Sequence, residues 1–220
     1  MVTNKPSKNK AATKVGLDYV LPKLKEHYPD AHCALDFTNA YELLMATILS
    51  AQCTDVLVNK ITPALFKKYP NPKKMSTGKI EDIEELIHSA GFYKNKAKNI
   101  KACCQQLVEL HKGEVPRTME ALHALPGVGR KTANVVLGNA FNIASGVVVD
   151  THVTRLANRF GWVKMTDAVK IESRLNELCP KEDWIMLSHY LISHGRAICT
   201  ARSPKCPSCF LESACPKIGI

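Results

Sequence analysis

Apolar residues recur at helical spacing along nearly the whole chain, and this period is the strongest constraint on the fold. Leu17, Leu21 and Leu24 repeat at intervals of four and three, and residues 43–51 carry one apolar face of a second helix. Comparable periods continue almost to the C-terminal cysteines, whereas the three valines at 147–149 form too short a run to support a sheet. The pattern therefore predicts an all-α fold of roughly ten short helices joined by short loops.

Proline, glycine and threonine mark where some of these helices should begin or end. We expect Pro63 to interrupt the helix at 56–69, because proline lacks the backbone N–H that a helix interior uses. Gly91 is expected to stop the helix at 80–90, and Thr118 to cap a short helix. These three residues define the expected helix limits in the first half of the chain.

The composition is that of a globular protein with an excess of positive charge. Of the 220 residues, 45% are hydrophobic and 23% are charged, which excludes a fully disordered chain. No apolar run approaches the ~18 residues that a membrane span needs, and the polar N-terminus lacks the apolar stretch of a secretory signal, so we expect no membrane partner. Thirty Lys and Arg against twenty Asp and Glu give a net charge of +10, which suits either a nucleic-acid partner or a merely soluble cationic protein. Residues 1–14 contain four lysines and no acid, and we expect a flexible basic tail there.

The nine residues LPGVGRKTA at 125–133 lie between two helical segments and have the composition of a ligand-binding turn. Proline ends the first helix, and the two glycines permit positive φ angles and leave their amide groups uncovered. Because the next helix starts at about Arg130, its free N–H groups and the positive end of its dipole face the same place. A phosphate group binds well to such an arrangement, although a plain helix connection would use the same residue types. The candidate phosphate contacts are Gly127, Val128, Gly129 and Arg130.

Two further residues, Lys131 and Asp150, carry side chains that suit chemistry on a sugar. A lysine amine is a nucleophile only when it is neutral, and a helix N-terminus together with partial burial favours the neutral form. At that position Lys131 would equally serve as a phosphate contact. Asp150 follows three valines and precedes a helix, so its carboxylate either caps that helix or takes part in a proton transfer. The sequence alone leaves the distance between the two side chains open.

Four of the nine cysteines lie within the last 22 residues, in the pattern C-x6-C-x2-C-x5-C. An odd number of cysteines without a secretory signal argues against a disulfide-stapled secreted protein. Four thiolates at this spacing suit either Zn²⁺ or an iron–sulfur cluster, and the spacing alone leaves both open. The four candidate metal ligands are Cys199, Cys206, Cys209 and Cys215. We interpret the remaining cysteines as packing residues at helical positions, namely Cys33, Cys53, Cys103, Cys104 and Cys179.

Several of these segments together resemble the endonuclease III family of helix–hairpin–helix DNA glycosylases. The resemblance covers nearly everything from about residue 17 to residue 216. Besides the terminal cysteines, the segments that carry it are ILSAQCTD at 48–55, GFY at 91–93, LPGVGRKTA at 125–133 and VDTH at 149–152. The resemblance implies two all-α lobes with a DNA-binding cleft between them. The expected lobes are a six-helix domain at 33–144 and a discontinuous cluster domain of 15–32 with 145–220.

The resemblance also implies roles for individual residues. Lys131 matches the nucleophilic lysine of the family and Asp150 its catalytic aspartate. Gln52 and Phe92 match two positions that insert into the duplex when a base is flipped out, although most relatives carry leucine where this chain has Phe92. Without the resemblance, Gln52 would be a surface amide and Phe92 a core residue beside Gly91.

For the C-terminal cysteines, the resemblance favours a [4Fe–4S] cluster over zinc. The longest loop between those cysteines carries Arg202 and Lys205. We expect the two cations to contact DNA phosphates, with a merely solvated cationic loop as the alternative.

The implied activity is that of a monomeric repair enzyme of the bacterial cytosol. It would excise oxidised pyrimidines from double-stranded DNA and cleave the strand at the resulting abasic (AP) site through a lysine Schiff base. One alternative is a monofunctional adenine glycosylase, which would typically lack a lysine at position 131 and carry a further C-terminal domain. A second alternative is a non-catalytic iron–sulfur DNA-binding protein, which would not need both Lys131 and Asp150.

Overall fold

A computed structural model describes residues 14–220, and its regular structure is helical. Apart from Lys14, the expected basic tail at 1–14 lies outside the described residues. The helices are α1 (Leu17–His27), α2 (Ala40–Leu49), α3 (Asp55–Lys68), α4 (Pro72–Ser76), α5 (Ile80–Leu86), α6 (Tyr93–His111), α7 (Met119–His123), α8 (Arg130–Phe141), α9 (Thr151–Arg159), α10 (Ala168–Leu178) and α11 (Trp184–Ala197). No strand forms between residues 14 and 220, so the all-α prediction is confirmed. In the same range no helix is both long and apolar enough to cross a membrane.

The helices belong to two compact units. The first unit consists of the described residues through Ala31 together with Val149–Ile220, and it contains α1 and α9 to α11. The second unit is His32–Val148 and contains α2 to α8. The first unit is therefore discontinuous in sequence, with the second unit inserted between α1 and α9.

Helix α2 forms the centre of the second unit. Eight of its ten residues are buried, because its apolar side chains point in every direction rather than along one stripe. Helices α3, α6 and α8 pack around it. Leu125 and Val128 join this core from the loop that precedes α8, with 3% and 5% of their surface exposed. The turn at 125–133 is thus fixed to the core of its own unit.

In the first unit, α11 packs against both α1 and α9. The start of the described chain is tied to the end of α9, because Val15 donates its N–H to the Phe160 carbonyl and accepts a hydrogen bond from the Trp162 indole. Arg159, the last residue of α9, is only 6% exposed. A buried guanidinium requires several acceptors, and its partners lie in the cysteine-rich loop described below.

Of the three helix limits expected from the sequence, the structure confirms one. Thr118 caps α7 as predicted, since its hydroxyl accepts a hydrogen bond from the Ala121 N–H. Gly91 does not set the end of its helix, because α5 already ends at Leu86. The predicted interruption at Pro63 is wrong, since α3 continues through it. Proline in a helix costs about 3 kcal/mol, but three side chains on the same helix are buried, each stabilising the fold by roughly 2 kcal/mol. These side chains belong to Val58, Ile61 and Leu65.

Candidate functional site

The turn before α8 is held from the inside by its own apolar residues. Leu125 and Val128 are buried, and the Val128 N–H donates to the Leu125 carbonyl at 3.1 Å. Gly127 lies between them with a φ of +76°, a conformation that glycine adopts without strain. A Cβ at this position would stand 3.0 Å from the Cβ of Asn99 on α6, so the close approach also requires glycine.

The outer side of the same turn presents backbone amide groups. Gly127, Gly129 and Arg130 are exposed. Among the described residues, no hydrogen-bond acceptor is found for the N–H groups of Gly127 and Gly129. Gly129 is the N-cap of α8 and supplies no capping side chain, so the positive end of the helix remains open to a ligand. Val128, also predicted as a phosphate contact, has a buried side chain and an engaged N–H, and its visible role is to fix the turn.

Lys131 is the second residue of α8 and is exposed, so the partial burial expected for its amine is not found. The opposite face of the helix is buried and includes Ala133 and Leu137. Asn134 on α8 accepts a hydrogen bond from the Ser145 hydroxyl at 2.7 Å, which links the helix to the segment that follows it. Packing of the inner face therefore fixes the helix, while the Lys131 side chain stays accessible beside the open amides.

Asp150 occupies the N-cap of α9, in the first unit. Its Oδ1 accepts a hydrogen bond from the Val153 N–H at 2.8 Å. The capping role that the sequence suggested is thus confirmed. The cap engages one carboxylate oxygen, so the second oxygen can still accept a proton or face a cation.

His152 is the second residue of α9 and lies two positions after Asp150. Burial lowers the pKa of His152 below its ordinary value, although the negative charge of Asp150 acts in the opposite direction. Its Nδ1 lies 3.1 Å from Nη2 of Arg155. Gly195 of α11 packs against this ring, and a Cβ there would stand 2.8 Å from Nδ1. The surroundings of Asp150 therefore include a crowded imidazole whose neutral form is favoured.

The two residues that the resemblance assigned to duplex insertion share an unusual backbone geometry. Gln52 has a φ of +56° and Phe92 a φ of +59°, both in the left-handed region that non-glycine residues rarely adopt. Gln52 is exposed, and Phe92 leaves 66% of its surface exposed although it is a large apolar residue. The alternative interpretation of Phe92 as a core residue is therefore wrong. Strained, exposed side chains of this kind are concentrated at functional sites.

One contact that the sequence analysis missed joins the turns that carry Gln52 and Phe92. Lys96 is 5% exposed and lies in the first turn of α6, for which Phe92 is the N-cap. Its ammonium donates to the sulfur of Cys53 at 3.1 Å, next to Gln52. The two turns thus share a charged hydrogen bond within the second unit. No local sequence signal indicates this pair, because the residues are 43 positions apart.

The four C-terminal cysteines line one cavity, together with Phe160 and His194. Among residues 14–220, no group of three or more His, Cys, Asp or Glu side chains is already placed to hold a metal ion. A cavity lined by four thiols provides the donor set of either a zinc ion or an iron–sulfur cluster.

Two arginines on α9 hold the start of the cysteine loop, and neither was identified from the sequence. Arg159 donates to the sulfur of Cys199 at 3.2 Å and to the carbonyls of Thr200 and Ala201 at 2.7 and 3.0 Å. Arg155 donates to the carbonyl of Cys199 through both Nε and Nη2, at 3.1 and 3.0 Å. The sequence feature that could have indicated this pair is the spacing of four residues between the two arginines, which places both on one side of a helix.

Arg202 and Lys205 lie in the loop between the first two candidate ligands, and both are exposed. The loop is tied by hydrogen bonds from the Thr200 hydroxyl to the Ser203 carbonyl at 2.7 Å and from the Lys205 N–H to the Ile198 carbonyl at 3.0 Å. The two cations are therefore carried by an internally bonded loop.

The remaining cysteines only partly match their expected place in helices. Cys103 and Cys104 lie in α6 and are buried, and burial raises the pKa of Cys103 to about 12. Cys179 directly follows α10 as its C-cap, and burial raises its pKa to about 12. Cys33 and Cys53 lie outside helices and are half-buried, so their assignment to helical positions is wrong.

Comparison with protein families and curated sequences gives consistent results. Residues 45–181 match the family model described as HhH-GPD superfamily base excision DNA repair protein. The chain is 53% identical to endonuclease III of Synechocystis sp. over 210 residues, which covers 96% of this chain and 94% of that protein. It is 43% identical to endonuclease III of Escherichia coli over 196 residues, covering 89% of this chain and 92% of the relative.

Solved structures agree with these similarities. A trapped endonuclease III–DNA covalent intermediate aligns with a TM-score of 0.86 and 46% identity, covering 90% of this chain and 93% of that chain. A non-covalent endonuclease III–DNA complex aligns with the same score, identity and coverage. A thermostable thymine-DNA glycosylase, at 23% identity and a TM-score of 0.81, shares the fold.

Proposed function

Because this chain belongs to the HhH-GPD superfamily and, within it, to the endonuclease III family, we propose that it excises oxidised pyrimidines from duplex DNA and cleaves the strand at the resulting abasic site. Endonuclease III is a DNA glycosylase with AP lyase activity in base excision repair. A chromosomal substrate makes the cytosol the compartment in which we expect this enzyme to act.

Lys131 is the proposed nucleophile. Its neutral Nζ attacks C1′ of the damaged nucleotide, and the bond from C1′ to the base breaks as the new C–N bond forms. The departing base takes the bonding electrons and a proton. Lys131 is exposed beside the open amides of Gly127 and Gly129, which suit the phosphates that flank such a nucleotide.

The same lysine carries the second step. Once the sugar ring opens, Nζ and C1′ form a Schiff base, which makes the proton at C2′ acidic. Removal of that proton expels the 3′ phosphate, so the C3′–O bond breaks and the strand is cut on the 3′ side. Hydrolysis of the imine then restores the free amine.

Asp150 is the proposed partner of this chemistry. Its carboxylate would accept a proton from the lysine or offset the positive charge that develops on the sugar. The α9 cap uses only Oδ1, so both functions are compatible with capping. Gln52 and Phe92 are proposed to fill the space that a flipped nucleotide leaves, and their strained, exposed geometry supports that role.

Cys199, Cys206, Cys209 and Cys215 are the proposed ligands of a [4Fe–4S] cluster. The fit rests on the common cavity that these residues line and on a donor set of four thiolates. When bound, the cluster would act as a cross-link that orders the loop. That loop carries Arg202 and Lys205, which are proposed to contact DNA phosphates.

The observation that carries the proposal is the position of Lys131. It is exposed at the start of α8, directly after the open turn, in a chain 53% identical to an endonuclease III. A monofunctional adenine glycosylase and a non-catalytic DNA-binding protein have no need of a nucleophilic amine at this place.

The test uses duplexes that each contain one defined oxidised pyrimidine, treated with borohydride during turnover. Reduction converts the imine into a permanent amine, so the unsubstituted enzyme should form a covalent protein–DNA product. Lys131→Gln should still bind the duplex but lose both the covalent product and strand cleavage. Lys164→Gln provides a control, because it removes another exposed lysine outside the helix–hairpin segment. Cleavage by Lys131→Gln, or base release from a duplex bearing adenine opposite oxidised guanine without strand scission, would contradict the assignment.

A further inference from the structure

His194 of α11 stands between a tyrosine and one of the candidate cluster ligands. Its side chain is almost completely buried, at 1% exposure. Nδ1 lies 3.0 Å from the hydroxyl of Tyr28, and Nε2 lies 3.6 Å from the sulfur of Cys209. All three residues belong to the first unit, although Tyr28 and His194 are 166 positions apart. The imidazole thus bridges the residue that follows α1 and the cysteine loop.

The chemistry of the ligand decides which way these hydrogen bonds run. A metal-bound cysteine is a thiolate, which has no proton and can only accept. Nε2 of His194 must then carry the hydrogen and donate it to Cys209. Nδ1 is left as an acceptor in the neutral ring, and the Tyr28 hydroxyl is the donor that satisfies it. The Tyr28 hydroxyl therefore stabilises the His194 tautomer that carries its hydrogen on Nε2, which is the tautomer that can donate to the Cys209 sulfur.

Aromatic neighbours hold the imidazole in this orientation. The Phe210 ring contacts it edge-on, with centroids 5.1 Å apart at 61°, and the Phe160 ring lies 6.4 Å away at 27°. Phe210 in turn stacks on His27 at 3.7 Å. The backbone of His194 also takes part, since its carbonyl accepts the N–H of Cys199 at 2.8 Å. The ring has little freedom to rotate away from the sulfur.

We propose that Tyr28 and His194 form a hydrogen-bond relay that donates to the Cys209 sulfur and thereby raises the reduction potential of the iron–sulfur cluster bound there. The inference rests on the proposed cluster. Each hydrogen bond to a ligating sulfur withdraws electron density from it, which favours the reduced, more negative cluster. Cys209 already accepts the N–H of Leu211 at 3.4 Å, so the relay supplies a second donor that local chain geometry does not provide. Tyr28 and His194 are positioning residues in this scheme.

The experiment measures the midpoint potential of the one-electron cluster couple in the purified iron-loaded protein. Tyr28→Phe removes only the hydroxyl, so the potential should shift to a more negative value while iron content and visible absorption stay at the level of the unsubstituted protein. His194→Leu removes the donor itself and should shift the potential in the same direction and further. Resonance Raman bands of the iron–thiolate bonds should move in both variants, because those bands report the hydrogen bonds at sulfur.

A matched control and a double variant separate a relay from a general structural effect. Tyr19→Phe makes the same chemical change on α1, where Tyr19 is exposed and the ammonium of Lys23 lies over its ring. It should leave the potential unchanged. If Tyr28 acts through His194, adding Tyr28→Phe to His194→Leu should give no further shift.

The outcomes distinguish the relay from the cofactor itself. A purified protein without iron would overturn the proposed cluster and the relay together. Iron-loaded Tyr28→Phe with an unaltered potential and unaltered Raman bands would overturn the relay and leave the cluster standing. Additive shifts in the double variant would also overturn it, since they would mean that Tyr28 acts independently of the imidazole.

Discussion

The turn at 125–133 and the cysteine loop at 199–215 are both proposed to serve the same DNA substrate, yet they are supported in different ways. The turn is held by its own residues, through the burial of Leu125 and Val128 and one hydrogen bond between them. The cysteine loop is held by side chains from elsewhere in the first unit, chiefly Arg159 of α9 and His194 of α11. Local sequence therefore describes the first region well and the second poorly.

This difference has a consequence for mutation. A region that is held by its own residues should lose stability only when those residues are substituted. Substitutions at neighbouring positions should leave its stability nearly unchanged. A region that is supported from outside should fail when a remote partner is removed. The predictions below test this contrast in order of decreasing effect.

The largest effect is expected at the support of the cysteine loop. Arg159→Leu should lower the free energy of unfolding by about 3 kcal/mol, because it leaves the buried sulfur of Cys199 and the part-buried carbonyls of Thr200 and Ala201 without their donor. Iron retention should fall with it. Urea unfolding and iron analysis measure the two effects. Arg174→Leu is the control, since that arginine forms an exposed pair with Glu177; equal losses in both variants would refute the external-support argument.

Two glycines of the turn should respond very differently. Gly127→Ala should cost about 1–2 kcal/mol, because its φ of +76° and its approach to Asn99 both disfavour a Cβ. Gly129→Ala should leave stability within about 0.5 kcal/mol, since its φ is −85° and nothing lies within 4 Å of the added atom. That methyl group should still weaken DNA binding by covering the open amides. Thermal unfolding and a binding titration on an abasic duplex measure both effects, and a destabilised Gly129→Ala would break the prediction.

Substitutions of Asp150, the N-cap of α9, can separate the effect of its negative charge from the effect of its capping hydrogen bond. Asp150→Ala should lower the unfolding free energy by about 1 kcal/mol, whereas Asp150→Asn should keep the cap and leave stability nearly unchanged. Both should lose base excision, because both lack the carboxylate. Asp167→Ala removes the corresponding cap of α10 and should cost similar stability without that loss. Normal excision by Asp150→Asn would reduce Asp150 to a structural residue.

The smallest effect is expected in the pH dependence of stability. Burial lowers the pKa of His152 in the folded chain. In the unfolded chain the pKa of this imidazole is about 6.5, so as the pH falls below that value the unfolded chain binds more protons than the folded chain. The stability that neutral His152 contributes is present above that pH and is lost as the pH falls. His152→Asn should therefore make the decline of unfolding free energy below about pH 6.5 shallower. His123→Asn, at an exposed histidine, is the control. The prediction would be contradicted if the unfolding free energy fell with pH at the same rate in the unsubstituted protein and in both variants.

Helix positions and caps were largely predictable because they depend on neighbouring residues. Thr118 and Asp150 were expected to cap the helices that follow them, and both do. Pro63 was misjudged because burial of the α3 apolar face outweighs the local cost of proline. The exposure of Phe92 and its left-handed backbone were also outside the reach of pattern analysis, since an aromatic side chain beside glycine usually indicates a core position.

The amino-acid sequence by itself determined the helices, the open turn before Lys131 and the four-cysteine set, because each depends on residues within a few positions of one another. Tertiary structure alone decided which side chains support the cysteine loop. Arg159 is bonded to carbonyls 41 and 42 residues away, and Tyr28 meets His194 across 166 residues. Such pairs form because burial leaves a polar group only the partners that the packed helices bring to it. The packing of the helices therefore determines which polar groups become partners, and the order of neighbouring residues does not predict these pairs.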